Sequence, residues 1–578
     1  MLVEVNRPPA AAPYGLAARG PAIVHSLLKA GDPTRRLLVL IAGVALSFSV
    51  IAARLVDINL FPPVGKGQST ARIAEPRIAR PDIVDRNGVI LATDIQTASL
   101  HANPRKIVDI DEAIEQVTTV LKDLDVKVLR RKLSSKRAFV WIKRELSPGE
   151  QAAVHRLGIP GFYFTTESRR VYPHGRTAAQ VLGYVNIDNV GAAGIEKYLD
   201  RQQLIGRNGA KRQAALEPVR LSLDVRVQYA MRTELAAAME RYGAKAAAGV
   251  ILKVDTGEVI ALTSLPDFNP NEPSGALAGK RLNQITYGVY EPGSTLKAIT
   301  IAMALDEGTA TADKIYDASK PIRIGKAVIG DFHGQKRPLT VREVFIYSSN
   351  IGAGKIALEV GEYRHKAFLR KMGLLTKPDL EVPEIGAPRY PRTWREINSV
   401  TIGFGHGIAM TPMQLALAGV ALVNDGRYVP ATFRPRDRET AARLARRVIQ
   451  PKTSASIRRM MRENVEMGTA RQARVEGYAI GGKTGTAEKV INGRYSKKQL
   501  RTSFLSAFPI EAPKYVVLIM LDEPKPSPET RNMATAGWNA VPVTGRLITR
   551  IAPMLGVLPE IDPQPGDGIK GVAENRSE

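Results

Sequence analysis

Apolar residues in this chain repeat with three periods, and each predicts a different element. From Leu37 to Ala53 no charged residue interrupts a run of Leu, Val, Ile, Ala and Phe. Such a run predicts a helix of about 25 Å before Arg54, extended by Leu55 and Val56, against a bilayer core of about 30 Å. Asp111 to Leu124 has helical period, and Asp224 stands as the N-cap of a helix over Val225–Arg241. Short apolar runs predict strands at Phe139–Ile142, Ala248–Val254, Glu258–Ser264, Ile480–Ala487, Thr502–Phe508 and Tyr515–Leu521. Asn87-Gly88 and Asp255-Thr256-Gly257 fall between apolar runs as hairpin turns. Mixed helices fill the stretch to about Ala470. Strands at both ends with helices between predict an α/β domain whose first and last segments share one sheet.

The same pattern divides the chain. Residues 1–36 form a basic, Pro/Ala/Gly-rich leader, 37–56 an anchor, 57–220 a first folded domain, 221–557 the main domain and 558–578 a polar tail. Gly206–Pro218 is a basic polar linker, and Pro62–Ala79 a polar link after the anchor. Small-x-small pairs such as Ala45 with Ser47 lie inside the apolar run and not after it, which predicts an uncleaved anchor. Positive charge ahead of the run places the N-terminus in the cytoplasm and the rest of the chain outside.

Composition adds limits. The 578 residues are 44% hydrophobic and 24% charged, enough for large cores and more than one domain. A formal charge of +26 suggests nucleic acid, but Lys and Arg are spread along the chain, aromatics make up only 6%, and no zinc-finger or RNA-binding signature occurs. Anionic lipid or an anionic wall polymer fits that charge better. There is no cysteine, so disulfides and thiolate metal sites are excluded.

The candidate chemistry lies in three short elements. Pro292-Gly293 precedes Ser294, and an apolar helical run follows, so Ser294 sits at a helix N-terminus with Lys297 three residues on along the same face. A serine hydroxyl attacks only when a base takes its proton. A lysine neutral at pH 7 costs about 4.6 kcal/mol unless burial or a second cation shifts it. Alone the pair is weak: about two Ser-x-x-Lys matches are expected by chance in such a chain. Ser26 to Lys29 is another, in the leader. The second element is Ser348-Ser349-Asn350 and the third is Lys483-Thr484-Gly485, continuing through Thr486. A chance Lys-Thr-Gly triplet is expected in roughly one such chain in ten. The three together, in this order, are the set found in penicillin-binding proteins and serine β-lactamases. Glu167, Arg169 and Arg170 have no nucleophile nearby and read as ion pairs between segments. His406 has no partner histidine or cysteine, so no metal or other cofactor is expected.

Leu221 to Pro559 resembles the transpeptidase domain of class B penicillin-binding proteins, and Arg80 to Leu204 resembles their non-catalytic pedestal. The matching residues include Asp85-Arg-Asn-Gly88, Arg169 to Gly175, Tyr290 to Lys297, Gly403-Phe-Gly-His-Gly407, Thr411 to Ala416 and Lys483 to Ala487. Asn350 as the third residue of its element resembles the division-specific (FtsI) type; the elongation type usually has aspartate there. Pro81 and Gln180 depart from the pattern, where glycine and histidine are common. The resemblance implies an α/β (α+β) β-lactamase-like fold with a mainly antiparallel sheet flanked by helices, an extended α+β pedestal and one transmembrane helix. It implies acyl transfer on peptidoglycan stem peptides, with β-lactams acylating the same serine, in a single-pass protein of the bacterial inner membrane whose catalytic domain is periplasmic. Ser294 would be the nucleophile, Lys297 its base, and Ser348 and Asn350 the proton relay and peptide holders. Lys483 would supply the charge that lowers Lys297 and attracts the substrate carboxylate. Thr484, Gly485 and Thr486 would bind that carboxylate. A membrane-embedded glycan polymerase and other division proteins are the implied partners. An elongation-type transpeptidase, a β-lactamase-like hydrolase, a penicillin-sensing receptor and a scaffold with a vestigial enzyme are the alternatives; the anchor and pedestal speak against the hydrolase.

Overall fold

The computed structural model describes residues 33–60, 80–202, 217–276, 281–332 and 334–560. Nearly all of the expected leader and tail, the link over 62–79 and most of the 206–218 linker lie outside the described residues. Helix α1, Pro33–Leu60, contains the apolar run, and its Leu37, Leu40, Leu46 and Phe48 side chains stand exposed. Among the described residues no helix is long and apolar enough to cross a membrane, so the spanning helix expected over 37–56 is not shown. The uncharged stretch is about 25 Å long against a hydrocarbon core of about 30 Å, and Arg54 and Asp57 follow within the same helix.

The described residues from Arg80 onward belong to a separate compact unit. Its first part is built on a long strand. β1 (Ile83–Val84) turns through Asn87-Gly88, with Gly88 at φ +88, into β2 (Ile90–Ala102), as the dipeptide predicts. α2 (Ile110–Val120) is capped by Asp109, whose carboxylate accepts from the backbone of Asp111 and Glu112. α3 (Val126–Leu133), β3 (Val140–Leu146), α4 (Pro148–Arg156) and β4 (Phe162–Val171) follow. β2 pairs antiparallel with β3 on one side and β4 on the other. Alternate residues of the strands, among them Leu100, Ala102, Val140 and Ile142, pack on Ile114, Val117, Leu129 and Val154 of the three helices.

The expected ion pairs are present. Arg170 bonds Asp94 and Glu196, and Arg80 bonds Glu196 and Asp200, the last two on α5 (Gly194–Arg201). Glu167 pairs with Arg144, and Arg169 lies 3.4 Å from Glu145. Arg170 and Glu196 are fully enclosed, a geometry that holds segments together without contacting any nucleophile. Arg170 also donates to the backbone carbonyl of Pro81, and the Gln180 side chain donates to Ser264 O at 2.7 Å.

β5 (Val219–Arg220) pairs parallel with β1 and leads into the second part. α6 (Val225–Arg241) begins at its Asp224 cap as predicted. β6 (Ala246–Lys253) and β7 (Val259–Leu265) form the predicted hairpin; Gly257 at φ +72 has Pro430 O only 2.4 Å from where a Cβ would lie. Next come α7 (Lys297–Asp306), α8 (Val341–Tyr347), α9 (Asn350–Val360), α10 (Pro412–Val423) and α11 (Pro451–Glu466). Short strand pairs, Ile315–Asp317 with Pro338–Thr340 and Ile322–Ile324 with Ala327–Ile329, interrupt what the sequence presents as mixed helices. β8 (Gly481–Ile491), β9 (Arg494–Phe508), β10 (Tyr515–Asp522) and α12 (Ala540–Ile551) close the fold.

The sheet runs β8-β9-β10-β6-β7, antiparallel throughout, so its first and last segments do meet. Both faces are covered. Val250, Leu252, Leu518 and Met520 pack with α7, α10 and α11, while Ile251, Val517, Ile519 and Leu521 pack with α6 and α12. That double burial is why these strands read as continuous apolar runs. β8 is an edge strand, and the turn that carries Ser294 lies against it.

Candidate active site

Pro292-Gly293 and β8 position Ser294. Residues Gly293–Leu296 form a 3-10 turn, and the α-helix proper begins at Lys297. Gly293 has φ +57, and a Cβ there would stand 2.8 Å from Thr486 O; a Cβ on Gly405 would lie 1.9 Å from Gly293 O. Gly485 is hemmed in by Ser503, Thr295 and Pro292 O, all within 2.8 Å of a would-be Cβ. Glycines at 293, 405 and 485 thus let three backbones close on one another, with half-buried Ser294 on the turn between them.

Behind the turn lies a hydrogen-bonded group of four of the predicted residues. Lys297 Nζ donates to Ser348 O (2.5 Å), Ser348 Oγ (3.2 Å) and Asn350 Oδ1 (2.7 Å). Lys483 Nζ, from β8, donates to the same Ser348 Oγ at 2.9 Å. Ser348 ends α8 in the left-handed region at φ +60, an unfavourable conformation for a residue with a Cβ, which the surrounding contacts hold in place. Ser349 caps α9 by accepting from Gly352 N, and Asn350 opens that helix.

Both amines are fully buried, and burial disfavours their charged forms. Lys297 is brought from the ordinary lysine range down to about 7, chiefly by burial, with the nearby Asp331 carboxylate opposing. Lys483 is pulled well below its usual value, first by burial and then by the Lys297 charge. The depression at Lys297 therefore comes from desolvation more than from the Lys483 charge that the resemblance invokes.

Thr484 and Thr486 alternate with Lys483 and Gly485 along β8, so their side chains share the opposite face of the strand. Thr484 Oγ1 lies 2.7 Å from Thr469 Oγ1, and Thr486 Oγ1 accepts from Ala536 N at 3.2 Å. His406 packs on Phe404 and Tyr495 and sinks to about 4, by burial and by the charge of Lys297. It is a neutral wall residue at neutral pH.

Two further participants have roles not legible in the sequence, Asp331 outside every motif and Glu291 inside the Tyr290 to Lys297 segment. Asp331, on the loop after the 327–329 strand, accepts from Ser349 Oγ (2.7 Å), Asn350 N (2.5 Å) and Ile351 N (3.0 Å), bracing the start of α9. Glu291 accepts from Gly407 N and from Tyr495 Oη, tying the residue before Pro292 to the glycine loop and to the β8–β9 hairpin. Neither falls in a repeating pattern; only the three-dimensional closure brings them to the site.

The penicillin binding protein transpeptidase domain model matches residues 247–546, and the penicillin-binding protein dimerisation domain model matches 77–218. The chain belongs to the class B penicillin-binding proteins. Among relatives of this penicillin-binding protein, the probable peptidoglycan D,D-transpeptidase FtsI of Caulobacter vibrioides is 39% identical over 511 residues, covering 86% of this chain and 85% of that protein. The probable peptidoglycan D,D-transpeptidase PenA of Neisseria gonorrhoeae is 32% identical, covering 85% and 88%. The crystal structure of penicillin binding protein 3 of Mycobacterium tuberculosis, complexed with aztreonam, superposes with a TM-score of 0.66 at 25% identity, covering 84% of this chain and 98% of that one. As a class B penicillin-binding protein of the FtsI type, the chain has its buried lysines in the first match and its pedestal in the second.

Proposed function

We propose that the chain is a septal peptidoglycan D,D-transpeptidase, held at the membrane by α1, with Ser294 as its nucleophile. The observation that carries this reading is the Ser348 hydroxyl shared by Lys297 and Lys483, with Ser294 on the closely packed turn from which Lys297 starts its helix. Lys297, with its proton affinity near neutrality, takes the Ser294 Oγ proton as that oxygen attacks the carbonyl carbon of the penultimate D-alanine. The backbone N–H groups of Ser294 and Thr486 receive the negative charge that develops on the carbonyl oxygen. The carbon–nitrogen bond breaks, and the proton passes through Ser348 to the leaving D-alanine amine. An amine from a second stem peptide then attacks the ester, giving a new amide and freeing Ser294.

The hydroxyls of Thr484 and Thr486, on one face of β8, hold the substrate carboxylate, and Lys483, on the other, donates to the Ser348 hydroxyl of the proton relay. The extended donor peptide lies along β8, an edge strand of the sheet, and Gly485 lets the Ser294 turn close on that strand. Asn350, already bonded to Lys297 and Gly330 O, orients the base and the peptide. Its place in the Ser-Ser-Asn element favours the division pathway, with a membrane-embedded glycan polymerase and other division proteins as partners. Even lateral distribution of a fluorescent fusion, instead of midcell accumulation, would favour the elongation pathway.

Intact-mass analysis after incubation with benzylpenicillin, followed by peptide mapping, tests the site. A persistent adduct on Ser294, absent in Ser294→Ala, is expected. Labelling that survives Ser294→Ala would remove the assignment, and drug hydrolysed without an adduct would make the chain a hydrolase.

A further inference from the structure

Strand alternation in the pedestal sheet leaves one face open, because α2, α3 and α4 cover the other. Such a face is expected to be polar, and Thr97, Thr165 and Glu167 are. At one end it is not. His101 on β2 stands in register with Trp141 on β3 and Tyr163 on β4, so three aromatic rings form a row across three strands. Phe139, at the entrance to β3, stacks on His101 with ring centroids 4.6 Å apart and meets Trp141 edge-on at 4.9 Å. His101 and Tyr163 stack at 5.7 Å. Phe139 and Tyr163 are 38% and 40% exposed. Burial lowers His101, so the middle ring is neutral at neutral pH.

We propose that this row is a docking platform for the glycan strand of peptidoglycan, distinct from the Ser294 site; it rests on the peptidoglycan reading above. The stacked rings turn their edges outward, forming an apolar strip across three strands against which the C–H groups of sugar rings can lie, an extended surface rather than a pocket. The rim supplies the complementary charge. Arg105, Lys106, Lys136 and Arg137 are exposed beside the rings, Lys106 lies over the Tyr163 ring at 5.6 Å, and Arg105 is anchored by its bond to Lys136 O. Among the described residues no carboxylate pairs with any of these four. A glycan bearing lactyl or peptide carboxylates supplies both the sugar faces and the anions. Holding the strand on the pedestal raises the local concentration of its stem peptides at the catalytic domain.

Co-sedimentation of the full-length, benzylpenicillin-acylated protein tests the platform with the Ser294 site closed. The probes are purified peptidoglycan and amidase-treated, peptide-free glycan strands captured on beads. Both are expected to retain the protein, and Trp141→Ala combined with Tyr163→Ala is expected to weaken retention tenfold or more without changing the rate of penicillin acylation. Tyr163→Ala alone, with restoration by Tyr163→Phe, keeps the test usable if the double variant does not fold. Unchanged retention would overturn the proposal, as would binding to intact peptidoglycan but not to peptide-free strands. Normal glycan binding with loss of function in cells would assign the face to a protein partner instead. Absence of a penicillin adduct would count against the Ser294 reading, not against the platform.

Discussion

Lys297 makes three hydrogen bonds and is nevertheless held near 7, because all three acceptors are neutral and the side chain is wholly enclosed. Asp331 is the one carboxylate that favours its charged form. Asp331→Asn keeps an oxygen for the Asn350 and Ile351 amides but removes that charge, so Lys297 should lose its proton more readily. The midpoint of the pH–acylation profile should therefore move to lower pH, and an unmoved midpoint would detach Asp331 from the base. Ser294, Lys297, Ser348, Asn350 and Lys483 could be named from the sequence because each lies in a short motif whose neighbours set its backbone. Asp331 could not, since it enters from a loop whose position depends on the packing of distant segments; Glu291 lies inside the Tyr290 to Lys297 segment, but its role depends on Gly407 and Tyr495, which only the fold brings to it.

At the scale of elements, three glycines decide where the nucleophile turn sits. Gly405→Ala would set a methyl group 1.9 Å from Gly293 O at a residue with φ +95, so either the glycine loop or the turn must shift. Penicillin acylation of that variant should fall tenfold or more while circular dichroism stays near wild type; full acylation would show that the turn tolerates displacement. Caps and turns were the most legible elements: Asp224 begins α6, and Asn87-Gly88 and Asp255-Thr256-Gly257 close their hairpins. β8 and β9 extend beyond their apolar runs because Asn492 and Gly493, with φ of +50 and +77, form a two-residue turn between polar strand ends. That dipeptide is a hairpin signal, but the polar flanks hide it from a search for apolar runs. The short strand pairs between 315 and 340 were also hidden, being too brief to establish a period.

On the scale of the molecule, α1 exposes apolar side chains, and the described residues from Arg80 onward form a separate compact unit. Removal of residues 1–60 should shift the protein from the membrane fraction to the soluble fraction and leave penicillin acylation intact; a truncated chain that still sediments with membranes would place the attachment elsewhere. That the first and last strands share one sheet was legible because the buried strands are long and apolar, whereas their order in the sheet, and the open face of the pedestal with its aromatic row, emerge only when the strands are set in register.

Whether burial makes Lys297 the base for Ser294 is measured most directly by the rate constant of benzylpenicillin acylation at Ser294 between pH 5 and 9. Lys297 is protonated and unable to accept a proton below its value of about 7, and His406, held at about 4, is neutral across this range. The rate should rise about tenfold per pH unit up to roughly 7 and level off above it. A rate independent of pH, with Ser294 still labelled, would contradict the account.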